Sequence, residues 1–192
     1  LITTEINNIS YDLAVGTEYI YAASWAGGLR RYGPLYTDEK SWQIIPLPMD
    51  SVTTLMCGFV DSETYELNPN DPDNGGNHNH KAFSVYILDN TIWVGTANGI
   101  NKGQIESDCI NWSQHYTASQ NDIAGNWVIG FIHQELGNIN RIWAITWAVE
   151  GESEANALSY TDDGGATWHI TYPVGNSEKV YNLYTNENRI WA

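Results

Sequence analysis

One short phrase recurs along this chain and constrains its fold more than any other feature. It reads "YIYAASWAGGLRRYG" from Tyr19, "TIWVGTANGINKG" from Thr91, "RIWAITWA" from Arg141 and "RIWA" from Arg189. Its second aromatic falls at Tyr21, Trp93, Trp143 and Trp191, at intervals of 72, 50 and 48 residues. Repeats of this length are supersecondary units that cannot bury their apolar faces alone and must stack on one another. Each is made of short runs of β-branched and aromatic residues punctuated by Gly, Asn and Asp, so the units are sheets.

Every unit divides in the same way. A first strand ("ISYDLAVG", "KAFSVYIL", "NWVIGFIH", "KVYNLYT") leads through a polar turn into the strand bearing the aromatic. A third strand carries "GGLRRYG", "GINKG" or "ALSYT", and an outer strand carries "WQIIPLP", "WSQHY" or "WHITYP". Four short strands per period of about 45 to 50 residues suit the blade of a β-propeller. The expected fold is therefore all-β: three complete four-stranded blades, at about 8–48, 81–117 and 126–174, and the first two strands of a fourth at 179–192, with an inserted loop at about 49–80. Ala22, Ala23, Gly95 and Ala144 follow the aromatics and let neighbouring sheets approach, so Trp42, Trp93, Trp112, Trp143, Trp168 and Trp191 are expected in the core.

"IWVGTANGINK" resembles the two-component-regulator propeller repeat, in which an Ile-Trp pair precedes Gly-Thr and a glycine opens the third strand. "TDDGGATW" resembles the Asp-box of sialidase-like BNR-repeat propellers, with Thr161, Asp163, Gly165, Thr167 and Trp168 at the family spacing. That resemblance implies a structural staple at the blade periphery, where a hydroxyl and a carboxylate hold a tight hairpin. A partial last blade would leave an exposed sheet face at each end of the arc. A larger propeller, a homodimer completing a ring, or closure of a small ring by "LITTEI" beside the last strand would each cover those faces; the first is favoured.

Composition narrows the partners. The 192 residues carry 23 acidic and 8 basic side chains, a formal charge of −15. Nucleic acid is excluded as a partner, because phosphate contact needs clustered Lys and Arg. No apolar run is long enough to span a bilayer, and "LITTEINN" lacks the basic and apolar regions of a secretory signal. Cys57 and Cys109 are open to one disulfide or to two buried thiols.

Three loops draw attention as sites. In "NPNDPDNGGNHNH", Asp71, Asp73 and Asn77 supply oxygen ligands around Gly75 and Gly76, which makes calcium the candidate cofactor; His78 and His80 at alternate positions suggest a transition metal. An Asx-rich turn accounts for the same composition. Trp25, Ala97 and Trp147 share one repeat position at the rim, so the two indoles, with Asn98 and the hydroxyls of Ser24, Thr96 and Thr146, form a candidate glycan-stacking surface. Glu150, Glu152 and Glu154 alternate in a long loop and would project together if it were extended.

An enzyme of sialidase type would need three converging arginines. Arg30, Arg31, Arg141 and Arg189 are placed away from a common rim, and His115, His133 and His169 are scattered among the units. The expected function is a non-enzymatic recognition or scaffolding module in an extracellular, cell-surface or periplasmic setting, with a glycan or protein ligand. The alternatives are a fragment of a glycan-active propeller enzyme and a periplasmic sensor propeller.

Overall fold

The computed structural model describes residues 9–60, 65–120, 122–175 and 178–192. It is all-β. β1 (Ser10–Val15), β2 (Ile20–Ser24), β3 (Gly28–Gly33) and β4 (Ser41–Ile45) form the first sheet. β5 (Ala82–Leu88), β6 (Thr91–Thr96), β7 (Gly99–Ile105) and β8 (Ile110–Tyr116) form the second. β9 (Trp127–Leu136), β10 (Ile139–Trp147), β11 (Ala157–Thr161) and β12 (His169–Thr171) form the third, and β13 (Tyr184–Asn186) pairs with β14 (Arg189–Trp191) in the fourth. In every sheet the strands lie side by side in chain order and pair antiparallel. The proposed pairing partner "LITTEI" lies outside the described residues.

The four sheets stack face to face through their first strands, β1 against β5, β5 against β9 and β9 against β13. The period-2 alternation of side chains explains how. On β6, Ile92 and Val94 turn to the first sheet, where they and Trp112 of their own sheet join Tyr21, Ala23, Leu29, Ile45 and Leu47. The intervening Trp93 turns to the third sheet and packs with Val128, Ile142 and Ala144. On β10, Trp143 and Ile145 turn in the opposite sense, towards Val180 and Leu183. A second strand buried on both faces can carry no polar alternation, and "IWVG" and "IWAI" carry none.

Close approach at the first strands is fixed by hydrogen bonds. Val85 N donates to Asp12 Oδ2 at 3.0 Å, Ser84 Oγ to Val128 O at 2.8 Å, and Thr185 Oγ1 to His133 O at 3.0 Å. Gly95 sits in the second of these joints, where a Cβ would come within 2.3 Å of both Ser84 Oγ and Val128 O. A side chain at position 95 is thus excluded by the spacing of the second and third sheets.

Two expected core indoles are exposed, and a third, Trp168, is half-buried. Trp42 is 53% and Trp191 45% exposed, against 1% for Trp112 and 6% for Trp143. Trp42 faces Tyr32 in register, as Trp112 faces Gly103, so the two tryptophans occupy equivalent positions. Trp112 is covered because a sheet precedes its own; Trp42 and Trp191 lie on the outer faces of the first and last sheets. The last unit also differs in its first strand, which is ladder-paired only at Tyr184–Asn186, while Val180 and Leu183 before it act as apolar plugs.

Residues of the long insertion cover an edge. Leu55 exchanges backbone hydrogen bonds with Trp112 at 3.0 and 2.9 Å, and Cys57 N donates to Asn111 Oδ1 at 2.7 Å. Cys57 and Cys109 form a disulfide, which settles the alternative left open by their spacing. The outer edge strand β8 is thereby capped against pairing with other chains. Closing a loop 52 residues apart stabilises by about 4 kcal/mol in the chain-entropy treatment.

Two outcomes are expected. Trp93→Ala should lower the unfolding free energy in urea by about 3–5 kcal/mol, and Trp42→Ala by less than about 1 kcal/mol, because only the first opens a cavity between sheets. Reduction of Cys57–Cys109 should lower it by up to about 4 kcal/mol, so an unchanged urea midpoint in reductant would contradict the role assigned to the clamp.

Candidate functional site

The "TDDGGATW" hairpin between β11 and β12 closes on itself. Thr161 Oγ1 donates to Asp163 Oδ1 at 2.8 Å and accepts from Gly165 N at 2.7 Å. Asp163 also accepts from Thr167 N at 2.9 Å and from Thr167 Oγ1 at 2.7 Å. These donors, the Thr167 backbone first, hold the Asp163 carboxyl down at about 2. Gly165 has φ +93°, and a Cβ there would meet Tyr116 Oη at 2.3 Å. Trp168 packs edge-on against Trp93 at 6.0 Å and Tyr116 at 5.3 Å, while Lys102 Nζ donates to Gly164 O at 2.7 Å. The hairpin of the third sheet is therefore fastened onto the second.

The expected calcium ligands do not converge. Asp71 Oδ1 accepts from Asp73 N at 3.0 Å and caps a single 3-10 turn, Pro72–Asn74. Asn77 Oδ1 accepts from Asp50 N at 3.1 Å. Asp50 in turn accepts from His78 N at 2.9 Å and Asn79 N at 2.6 Å. Among the described residues, no three His, Cys, Asp or Glu side chains are grouped to hold a metal ion. The residues are not gathered as a calcium site: Asp71 Oδ1 and Asn77 Oδ1 each accept from a backbone N–H of the loop, as an Asx-rich turn requires.

His78 and His80 part company for the same reason, since they lie in a 3-10 turn rather than an extended strand. His78 approaches Asp71 at 3.9 Å. His80 is buried; its Nδ1 accepts from Asn68 N at 3.0 Å, so its Nε2 carries the proton and donates to Tyr65 Oη at 2.7 Å. Tyr65 Oη then donates to Leu47 O at 3.1 Å. Burial pushes the Tyr65 phenol up to about 12 and the His80 imidazole below its ordinary value. Asn79 locks the insertion to the second sheet through Thr96 Oγ1, Asn101 Nδ2 and Pro48 O.

The acidic loop is likewise bent. Glu150 and Glu152 are exposed, whereas Glu154 turns inward, accepting from Asn126 N at 2.9 Å and Val149 N at 3.0 Å. Residues 150–153 run as turn and bend rather than strand, so the alternate spacing does not bring the three carboxylates together.

At the rim, Trp25 and Trp147 have different neighbours. Trp25 lies 5.1 Å from Phe83 and 5.9 Å from Trp127, which are themselves 5.7 Å apart, and Lys81 Nζ stands 5.8 Å from the Trp25 ring centre. Tyr11 adds an edge to Phe83 at 5.9 Å. This cluster gathers where β1, β5 and β9 begin, so it spans three sheets. Trp147 instead packs on Tyr181 at 4.8 Å and donates from Nε1 to Val180 O at 2.7 Å. The backbone oxygen of Asn98 accepts from His115 Nε2 at 2.6 Å. Phe83 and Trp127 escaped the sequence argument because they open first strands, away from the repeated phrase.

Arg141 pairs bidentately with Asp162 at 2.6 and 2.7 Å over the rings of Trp143 and Tyr160. Arg30 Nε donates to Gly27 O at 3.2 Å. Among the described residues, no helix is long and apolar enough to cross a membrane.

No protein-family model and no curated protein sequence matches this chain. Among solved structures, the computationally designed Ika4 protein is similar at a TM-score of 0.45 and 10% identity, over 95% of this chain and 82% of that one. A candidate exported protein of Bacteroides fragilis NCTC 9343 is similar at a TM-score of 0.30 and 9% identity, over 86% of this chain and 58% of that one.

Burial lowers the proton affinity of both His80 and His115 below that of an exposed histidine. The unfolded chain therefore takes up protons first, and their contribution to stability, complete above a pH of about 6.5, is lost as the pH falls below it. The urea midpoint should drop between pH 7 and pH 5.5, and His115→Gln should reduce that drop; a flat profile in the parent chain would contradict the assignment.

Proposed function

We propose that the chain is a segment of a β-propeller that serves as a non-enzymatic recognition or scaffolding module outside the cytoplasm. The observation that carries this reading is the pair of uncovered end faces. On the first sheet, Leu13 and Val15 are 61% and 72% exposed; they pair with Ala22 and Ile20, as Val85 and Ile87 pair with Val94 and Ile92. Val85 is 4% exposed because a sheet lies against it. On the last sheet Trp191 holds the position at which Tyr21, Trp93 and Trp143 each wedge into the following sheet. One end thus presents the receiving half of an inter-sheet joint and the other the inserting half. The occupant that fits both is a further sheet of the same repeat, and for the isolated chain that means a second copy joined end to end.

The resemblances to regulator-type and Asp-box propellers support the same architecture through the Ile-Trp phrase and the Thr161–Trp168 hairpin. The disulfide favours an oxidising compartment. Two of the carboxylates that sequence reasoning nominated for chemistry are engaged in a turn and a loop contact: Asp71 on Asp73 and Glu154 on Asn126. The rim cluster of Trp25, Phe83 and Trp127 is the contact surface this reading assigns to a glycan or protein ligand.

Sedimentation analysis tests the end faces. The parent chain should associate with increasing concentration, and Leu13→Glu or Trp191→Glu should each hold it monomeric. Mixing the two variants should restore one joint, because each retains the half that the other lacks. A parent chain that stays monomeric at all concentrations, or association unaffected by both substitutions, would overturn the assignment.

A further inference from the structure

A second feature, independent of the end faces, lies between the first two sheets. Arg31 on β3 is only 7% exposed. Its Nε donates to Gln43 Oε1 at 2.8 Å, its Nη2 donates to the Asp108 backbone oxygen at 2.9 Å, and its guanidinium carbon stands 4.3 Å from the Tyr19 ring centre. Nη1 is buried and makes no hydrogen bond. Among the described residues no carboxylate forms an ion pair with it; the ion pairs present are His78 with Asp71 and Arg141 with Asp162. Neutral partners spread the charge without balancing it. The Tyr21 phenol, which also feels this guanidinium, is one of them. A buried cation left in this condition costs several kcal/mol unless an anion meets it.

Arg31 lines a cavity of about 280 Å³. That is close to the lower end of the roughly 300–1,000 Å³ usual for small-molecule sites. The remaining wall is mostly apolar: Ile44, Ile45 and Pro46 from the end of β4, Leu55 and Val60 from the insertion, and Ile110 beside the Cys57–Cys109 disulfide. Asp108 also lines the cavity, at its solvent-exposed side, and gives its backbone oxygen to Arg31. The cavity has one cationic end and an apolar body, and it sits in a chain of charge −15. That field repels multiply charged anions such as phosphate esters more strongly than a single carboxylate.

We propose that this cavity binds a small amphipathic monocarboxylate, its carboxylate set against the guanidinium of Arg31 and its hydrocarbon part packed among Ile44, Leu55 and Val60. A guanidinium matches a carboxylate in plane and donor spacing, and the site is the complement of a molecule with one charged end. The insertion supplies part of the wall and the disulfide holds it there, which gives the clamp a role in shaping the cavity as well as covering an edge.

The test is calorimetric titration of the intact, disulfide-bonded chain with phenylacetate and hexanoate, set against phenylacetamide and 1-hexanol. At least one carboxylate should bind saturably at one site, with its neutral counterpart at least tenfold weaker. Arg31→Met should weaken carboxylate binding at least tenfold. Val60→Trp, which fills the cavity and leaves Arg31 in place, should abolish it, with folding of both variants checked by circular dichroism. The wild-type comparison stands even if Arg31→Met fails to fold. No saturable binding of either carboxylate, equal binding of acid and neutral analogue, or binding unchanged in folded Val60→Trp would overturn the proposal.

Discussion

The structure depends on a single packing constraint: each aromatic-bearing strand is buried on both faces at once. Ile92 and Val94 face one neighbour and Trp93 the other; Ile142 and Ala144 are set against Trp143 in the same way. Because side chains alternate strictly along a strand, a slip of one residue would exchange a wedge-filling indole for a small aliphatic group at two interfaces together. The indole also sets the local spacing between the second and third sheets. Gly95, pressed against Ser84 and Val128 of the next joint, shows how little room is left.

Other features act to preserve that stack. Polar contacts between first strands are made by short side chains, Asp12, Ser84 and Thr185, each reaching a backbone group of the adjoining sheet. Hydrogen bonds at these points satisfy backbone groups that close packing removes from water. At the periphery the same task falls to hairpins. Thr161 and Asp163 close a turn that lays Trp168 over Trp93 and Tyr116, so the third sheet grips the second at its outer margin as well as at its inner one. The inserted segment does for β8 what the hairpin does for the sheet faces.

Part of the acidic character of the chain is expressed as turn chemistry. Asp50, Asp71, Asp163 and Glu154 each accept from backbone N–H groups of their own loops. Read as a pattern of ligands, such residues suggest metal binding or acid and base catalysis; in three dimensions their lone pairs are already in use. The basic residues are fewer, and the contrast between Arg141 and Arg31 is chemical. Arg141 has a carboxylate at 2.6 Å, whereas Arg31 has a glutamine, a carbonyl and an aromatic ring.

The sequence by itself determined the all-β class, the division into four successive sheets, and the positions of Tyr21, Trp93 and Trp143 as wedges. Those properties are written in spacing along the chain, because alternation and turn residues act between near neighbours. The hairpin at Thr161–Trp168 was legible for the same reason. Tertiary structure alone decided that Trp42 and Trp191 lie open while Trp112 and Trp143 are sealed, since equivalent positions differ only in whether another sheet stands opposite. It also decided the meeting of Trp25 with Phe83 and Trp127, the inward turn of Glu154, the joining of Cys57 to Cys109 and the isolation of Arg31. Each of these brings together residues from different sheets, or from a loop and a sheet, and the path of that chain through space is set by the summed packing of all the units rather than by any local pattern.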